Sequence, residues 1–289
     1  MDSCRRNNNG VLYVVATPIG NLEDMSARAA RVLASVALIA AEDTRHSARL
    51  LDHFGIATKM QPLHEHNEVE QVAALLALLR QGKSIALISD AGTPLVSDPG
   101  FRLVQAAQAE GLRVVPVPGA CAAIAALSVA GLPTDRFAFE GFSPPKSAAR
   151  RAAFEALRHE TRTLIFYETP HRLAESLDDM RAVFGPARRA VLARELTKQF
   201  ETVRAAPLGE LVAWVSGDDN QQRGESVILV HGAPPAQERG LDADAERILR
   251  ILLKELPMKQ AAALAAELTG LKKNQLYQYA LALKNARKD

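Results

Sequence analysis

The chain has 289 residues, 48% hydrophobic and 24% charged, enough for about two ordinary domains with sizeable cores. Lys and Arg number 35 against 33 Asp and Glu, a formal charge of +2, so no overall field steers the molecule onto nucleic acid or anionic lipid and any basic footprint has to be local. No apolar run approaches the roughly 20 residues of a membrane span, and two cysteines, Cys4 and Cys121, make neither a disulfide framework nor a zinc site. These features read as a cytoplasmic, two-domain protein with no membrane partner.

Residues 1–10, with Cys4-Arg5-Arg6-Asn7-Asn8-Asn9 and no apolar stretch behind them, read as a disordered leader rather than a secretory signal. Residues 11–16 form a buried-type strand that ends at Thr17-Pro18-Ile19-Gly20-Asn21, and residues 22–35 carry apolar residues at helical spacing. Residues 36–40 are strand again, and residues 67–80 are a helix with Val69, Val72, Leu75, Leu76 and Leu79 on one face. A strand over 85–89, a helix near 100–110, a strand over 114–117 and an Ala-rich helix complete a βαβα order. That order predicts a mostly parallel sheet with helices on both faces, over 11–131. Gly131-Leu132-Pro133 reads as a boundary. The second α/β domain, 132–232, has strands over 137–141, 163–167, 190–194 and 226–231 and helices near 148–159, 171–183 and 208–215. After Gly232-Ala233-Pro234-Pro235-Ala236, residues 241–289 contain no strand-like run and read as a helical appendix.

Three Gly/Pro-rich loops each follow a predicted strand: 17–21, Asp90–Gly100 and 116–120. In open α/β sheets ligands bind beyond the carboxyl ends of the strands, where such loops gather. Glycine permits close backbone approach and proline stiffens the chain, so three such loops point to a pre-formed binding wall. Familiar nucleotide motifs are absent. Gly82-Lys83-Ser84 resembles the end of a P-loop, but Ala77 stands where the first glycine belongs and the segment precedes a strand. No G-x-G-x-x-G follows the first strand, which argues against a dinucleotide.

Glu42-Asp43-Thr44-Arg45-His46 follows the second strand at the same sheet edge and offers acid–base groups. His64 and His66 lack further ligands at metal spacing, so no metal is expected; Asn67 or His66 serves equally well as a helix cap. In the second domain, Thr169 is placed to cap a helix with Pro170 at its first position. Glu168 either holds a polar ligand or pairs with Arg172 four residues on. The tail carries seven Lys and Arg against three acids from Lys254 to Asp289, a local +4. Its helices over 258–268 and 273–283 are joined at Thr269-Gly270-Leu271, with Leu276, Tyr279, Ala280 and Leu283 on one face, a helix-turn-helix pattern whose second helix opens at Lys272-Lys273. Lys146, Arg150 and Arg151 form a second basic patch. Together these basic groups suggest a nucleic-acid substrate.

Several of these runs resemble the small-subunit ribosomal RNA methyltransferases of the tetrapyrrole methylase-like class. The likeness rests on residues 14–22, Ala41-Glu42-Asp43-Thr44-Arg45-His46, 89–100, 118–123, 166–172, Ala193-Arg194-Glu195-Leu196-Thr197-Lys198 and the Lys-rich tail, in order across 11–285. It implies two α/β domains of the tetrapyrrole methylase type with the cofactor cleft between them, plus a small helical appendix. It also implies a homodimer, S-adenosylmethionine as methyl donor, and transfer to the ribose 2′-hydroxyl of a cytidine in the decoding region of 16S rRNA in the small ribosomal subunit. The expected donor site is Thr17, Pro18 and Gly20, then Asp90, Gly92, Thr93, Pro94, Ser97 and Asp98, then Pro118 and Gly119, with Tyr167 and Glu168 from the second domain. Glu42, Asp43 and His46 are the expected sources of a catalytic base. Arg45, Lys146, Arg150, Arg151, Lys272 and Lys273 are the expected RNA contacts.

Overall fold

A computed structural model describes residues 9–64, 66–234 and 243–285. The expected leader, apart from Asn9 and Gly10, lies outside the described residues, as do Cys4, Pro235, Ala236 and the basic pair Arg287 and Lys288. The chain divides into two compact units at the His231–Gly232 junction.

The first unit holds two five-stranded sheets. In chain order the first lobe runs β1 (Val11–Val15), α1 (Ala27–Ser35), β2 (Leu38–Ala41), α2 (Thr44–His53), β3 (Met60–Pro62), α3 (Glu68–Arg80), β4 (Ile85–Ile88), α4 (Phe101–Ala109) and β5 (Arg113–Val117). The strands pair in the order β3-β2-β4-β1-β5, and every pairing is parallel. Alternate residues of the strands serve the two faces. Leu38, Ala40, Ile85 and Leu87 pack with Leu75, Leu79 and Leu103 of α3 and α4. Ile39, Ala41, Ala86 and Ile88 pack with Leu33 and Leu51 of α1 and α2. A sheet buried on both faces needs near-continuous apolar strands, and the burial of β2 and β4 at all four positions meets that need.

Next come α5 (Ala122–Val129), β6 (Phe137–Phe142), α6 (Ser147–Ala156), β7 (Thr163–Glu168), α7 (Leu173–Phe184), β8 (Arg189–Arg194), β9 (Thr202–Pro207), α8 (Leu208–Gly217) and β10 (Ser226–Val230). This sheet is mixed. Its order is β6-β7-β10-β8-β9, with only β6–β7 parallel. One face is covered by α6, α7 and α8 through Phe154, Leu177, Met180 and Leu211. The other is covered by α5 through Ala123, Ala126 and Leu127. Helix α5 precedes the expected boundary at 131 yet packs on the second sheet.

Several local expectations change. Residues 22–24 form a short 3-10 turn before α1, whose start is capped by Ser26. Val69 is 65% exposed, because the inward stripe of α3 runs through Glu68, Leu75, Leu76 and Leu79. Neither Asn67 nor Thr169 caps through its side chain: Asn67 accepts from the His64 N–H, and the Thr169 hydroxyl accepts from Arg172 Nε.

The second unit, among the described residues, is three helices: α9 (Ala243–Glu255), α10 (Met258–Thr269) and α11 (Lys273–Asn285). Leu249, Ala262, Ala265, Leu276 and Ala280 form its core. Gly270 ends α10 in the left-handed conformation at φ 71°, the geometry that favours glycine after a helix. No described helix is long and apolar enough to cross a membrane.

Candidate active site

Because every pairing in the first sheet is parallel, the loops after β1, β2, β4 and β5 emerge at one edge, and β1 sits where the chain switches sides. The longest of these loops, 89–100, is held in a conformation few sequences adopt. Gly92 and Gly100 have φ of 84° and 117°, and Leu95 and Ser97 take positive φ without being glycine. Such strain persists only where surrounding contacts fix it. Here Thr17 and Gly92 exchange backbone hydrogen bonds of 2.8 and 3.1 Å, and the Thr93 hydroxyl donates to the Ala120 carbonyl at 2.9 Å.

A cleft of about 550 Å³ lies between the 89–100 loop and the second sheet, within the ordinary range for a small-molecule site. Its first-lobe wall includes Glu42, Asp90, Gly92, Thr93, Ser97 and Asp98. Tyr167 and Glu168 from the end of β7, with Phe142, Lys198, Glu225 and Ser226, form the opposite wall. Seven of the expected donor-site residues therefore meet at one cavity.

The other six do not line it. Thr17 is buried, and its hydroxyl donates to the Ser89 carbonyl at 3.3 Å. Pro18 and Pro94 are buried, and Pro118 adjoins Gly119 on an exposed turn. A Cβ on Gly119 would stand 2.9 Å from the Ala16 Cβ, so this glycine lets two loops touch. A Cβ on Gly20 would meet the Lys198 side chain at 2.4 Å, so Gly20 leaves room for a residue that does line the cleft.

The cleft concentrates carboxylates. Asp90 accepts from the Asp43 N–H at 3.0 Å, while Glu42 accepts from the Asp90 N–H at 3.4 Å, so the two loops clasp each other. Burial pushes the Asp98 carboxyl up to about 6; the charges of Glu42 and Asp90 add to this and a Ser89 hydrogen bond works against it. Burial also raises the Tyr167 hydroxyl, reinforced by Cys121. That hydroxyl accepts from the Ala123 N–H at 3.1 Å, tying β7 to the start of α5.

Of the expected bases, only Glu42 lines the cleft. Asp43 caps α2, accepting from the N–H groups of Arg45 and His46, and these bonds hold its carboxyl below the usual range. His46 is exposed on α2 outside the lining. Of the two roles considered for Glu168, the structure shows the pairing with Arg172. Glu168 is 2% exposed, makes that pair at 2.8 Å and backs the cleft wall.

The expected RNA contacts divide. Arg45, Lys146, Arg151, Lys272 and Lys273 are exposed. Arg150 is not, and its assignment is corrected. Arg150 and Phe154, four residues apart, share the inward face of α6, and the Arg150 guanidinium is fully buried against Asp179 of α7 at 2.7 Å. Among the described residues no cluster of three or more metal-ligating side chains forms, and the His64 and His66 rings stand 6.0 Å apart.

Sequence reasoning gave no role to Lys198, Glu225 or Ser226. Lys198 bridges Glu195 and Glu225 at 2.9 Å each on the second-lobe side of the cleft. The Ser226 hydroxyl is buried without a hydrogen-bond partner. Only Lys198 carried a signal, inside the 193–198 run.

Residues 11–212 match the family described as Tetrapyrrole (Corrin/Porphyrin) Methylases, and residues 239–284 match the RsmI C-terminal HTH domain. The ribosomal RNA small subunit methyltransferase I of Pseudomonas aeruginosa is 64% identical, over 94% of this chain and 97% of that protein. The chain belongs to the ribosomal RNA small subunit methyltransferase I family of tetrapyrrole methylases. It is thus a methyltransferase by membership. The protein of the same name in Escherichia coli O157:H7 is 58% identical, over 95% of this chain and 96% of its own. Among solved structures, uroporphyrin-III-C-methyltransferase from Thermus thermophilus shares the fold at TM-score 0.55 and 23% identity, covering 77% of this chain and 94% of that one. A structure of that enzyme complexed with S-adenosyl homocysteine aligns at TM-score 0.52 and 19% identity, covering 77% and 97%.

Proposed function

We propose that this chain transfers a methyl group from S-adenosylmethionine to the ribose 2′-hydroxyl of a cytidine in the decoding region of 16S rRNA, within the small ribosomal subunit. The observation that carries the reading is the two-lobed cleft, walled by the 89–100 loop and rich in carboxylate. The names of the close relatives support the ribosomal RNA substrate, and the fold neighbour complexed with S-adenosyl homocysteine supports the donor. A cytoplasmic homodimer is part of the same proposal and rests on the family resemblance.

The residues present fit the donor. When bound, S-adenosylmethionine supplies an electrophilic methyl carbon on a positively charged sulfur. Glu42, Asp90 and Asp98 give the cleft a negative potential that favours a cationic ligand over a neutral one. Ser226 offers a buried hydroxyl whose hydrogen-bonding capacity is unused by the protein. Tyr167 and Phe142, with rings 5.5 Å apart, supply the apolar wall. The rigid loops act by position, and good alignment of reacting groups is worth about 7–11 kcal/mol in the best cases.

A ribose hydroxyl attacks poorly until its proton leaves, and a positioned base contributes about 10²–10⁴-fold. Within the expected set Glu42 is the member that reaches the cavity, and Asp98, whose carboxyl burial pushes up to about 6, joins it there. Exposed Arg45, Lys146, Arg151, Lys272 and Lys273 would hold phosphates. The deciding experiment incubates purified chain and S-adenosylmethionine with small subunits from cells lacking the protein, followed by mass mapping. A single new 2′-O-methylcytidine in the decoding region is the expected product. A methyl group on a base or a protein, or none at all, would overturn the proposal.

A further inference from the structure

A second cavity, of about 430 Å³, adjoins the end of the 89–100 loop and is lined by His66, Glu68, Phe101 and Arg102 together with Asp98. Asp98 belongs to both linings, so one carboxylate joins this recess to the main cleft. The size suits a nucleotide-sized group.

Its lining includes an aromatic ring and a guanidinium group. Phe101, the first residue of α4, leaves 63% of its surface exposed beside the recess. An aromatic face there is a platform for a base, and stacking of this kind tolerates single-stranded nucleic acid of any sequence. Arg102 is exposed and makes no ion pair among the described residues, so its planar guanidinium remains available for bidentate contact with a phosphate. Glu68 does not oppose this. Its buried carboxylate accepts from the N–H groups of Arg102 and Leu103 at 2.8 and 3.2 Å, compensating the positive end of α4. Selectivity must then come from the side chains rather than from the helix terminus.

We propose that this recess receives the acceptor nucleotide of a single-stranded RNA segment, with Phe101 stacking on its base and Arg102 holding an adjacent phosphate, so that the ribose lies at Asp98 between the two cavities. The proposal rests on the reading of the main cleft as the methyl-donor site. Asp98 is the carboxylate common to both spaces, whereas Asp43 and His46 line neither.

The test uses the full chain and a single-stranded oligoribonucleotide carrying one 5-iodocytidine, irradiated and mapped by mass spectrometry. A principal crosslink at Phe101, reduced at least tenfold in Phe101→Leu and kept in Phe101→Tyr, supports the assignment. A principal crosslink elsewhere, or an equal yield from Phe101→Leu, overturns it. Arg102→Gln should lower the slope of log affinity against log salt by about 0.7, the value for one phosphate contact on a single strand; an unchanged slope removes Arg102 from the site. Calorimetric titration of S-adenosylmethionine separates this inference from the one beneath it. Normal donor binding with a negative crosslinking result sinks only the acceptor recess, whereas no donor binding by the unmodified chain sinks the reading of the cleft itself.

Discussion

Removal of the Asp179 carboxylate tests whether the Arg150 cluster is a structural ion network or an RNA surface. Asp179 is 3% exposed and accepts from Arg150 Nε at 2.7 Å, Arg151 Nε at 2.6 Å and the Ser147 hydroxyl at 3.0 Å. Beyond Asp179, the fully buried Arg150 reaches, among the described residues, only the Pro145 carbonyl at 3.5 Å and Glu175 at 3.4 Å, and the Glu175 side chain is 71% exposed. Asp179→Ala therefore strands a buried guanidinium, a defect worth about 3–5 kcal/mol. Arg150→Met keeps the volume and leaves Asp179 with Arg151 and Ser147, so about 1–3 kcal/mol is expected. Burial pushes the Asp179 carboxyl up, but hydrogen bonds from Arg151, Arg150 and Ser147 outweigh it and hold the group below its ordinary value. Its stabilisation is thus present above a pH of about 4 and is lost as pH falls through the lowered folded value. Urea unfolding followed by the fluorescence of Trp214 reads the same core, because this single tryptophan packs in the α6–α7–α8 cluster. Native stability in Asp179→Ala, or Arg150→Met with full stability but weakened RNA binding, would refute the structural role.

Four further outcomes follow from the same geometry. Methyl transfer should rise with pH through about 6 as Asp98 ionises, and Asp98→Asn should flatten that limb and slow turnover by about 10²–10⁴-fold; a surviving limb assigns the base elsewhere. Because the folded carboxyl titrates above its unfolded value, wild-type stability is lost as pH rises from about 4 towards the folded value, so Asp98→Asn should resist urea better than wild type at pH 7. Gly119→Ala drives a methyl group to 2.9 Å from the Ala16 Cβ, and overpacking of this kind typically costs about 1–3 kcal/mol. Calorimetry should show donor affinity reduced about tenfold, and an unchanged value would detach these loops from the cleft. Lys272→Ala with Lys273→Ala should lower the salt slope of RNA binding by about 1.4, with donor affinity intact; a matching loss of donor affinity would refute the division of labour.

The sheets and most helices were legible because apolar residues must recur with the period of the element that buries them. The exceptions are elements that bury little. Helix α2 turns only Ser47 and Leu51 fully inward and presents a charged sequence, so it read as a polar cluster rather than a helix. Strand β9, at the sheet edge, buries one residue of its six. Adjacent residues on a helix point about 100° apart, which separates buried Arg150 from exposed Arg151 although the sequence presents them as one basic patch. The site was half legible for a related reason. Glycine and proline mark where backbones crowd, and that signal located the 89–100 part of the first-lobe wall, while Glu42 stood out only within a polar cluster. The glycine and proline signal does not distinguish a loop that touches a ligand from one that touches another loop, so Thr17 and Gly119 were expected at the cavity and lie outside its lining. On the opposite wall, Glu195 and Thr197 adopt positive φ without glycine, bringing Lys198 to the cleft by strain that no residue type announces. Glu225 and Ser226 reach the cleft because β10 begins there, a consequence of antiparallel pairing between strands far apart in the chain. Tertiary register, rather than local composition, selects these residues, so the sequence marks the edge of the sheet and, on the second wall, only Tyr167 and Glu168.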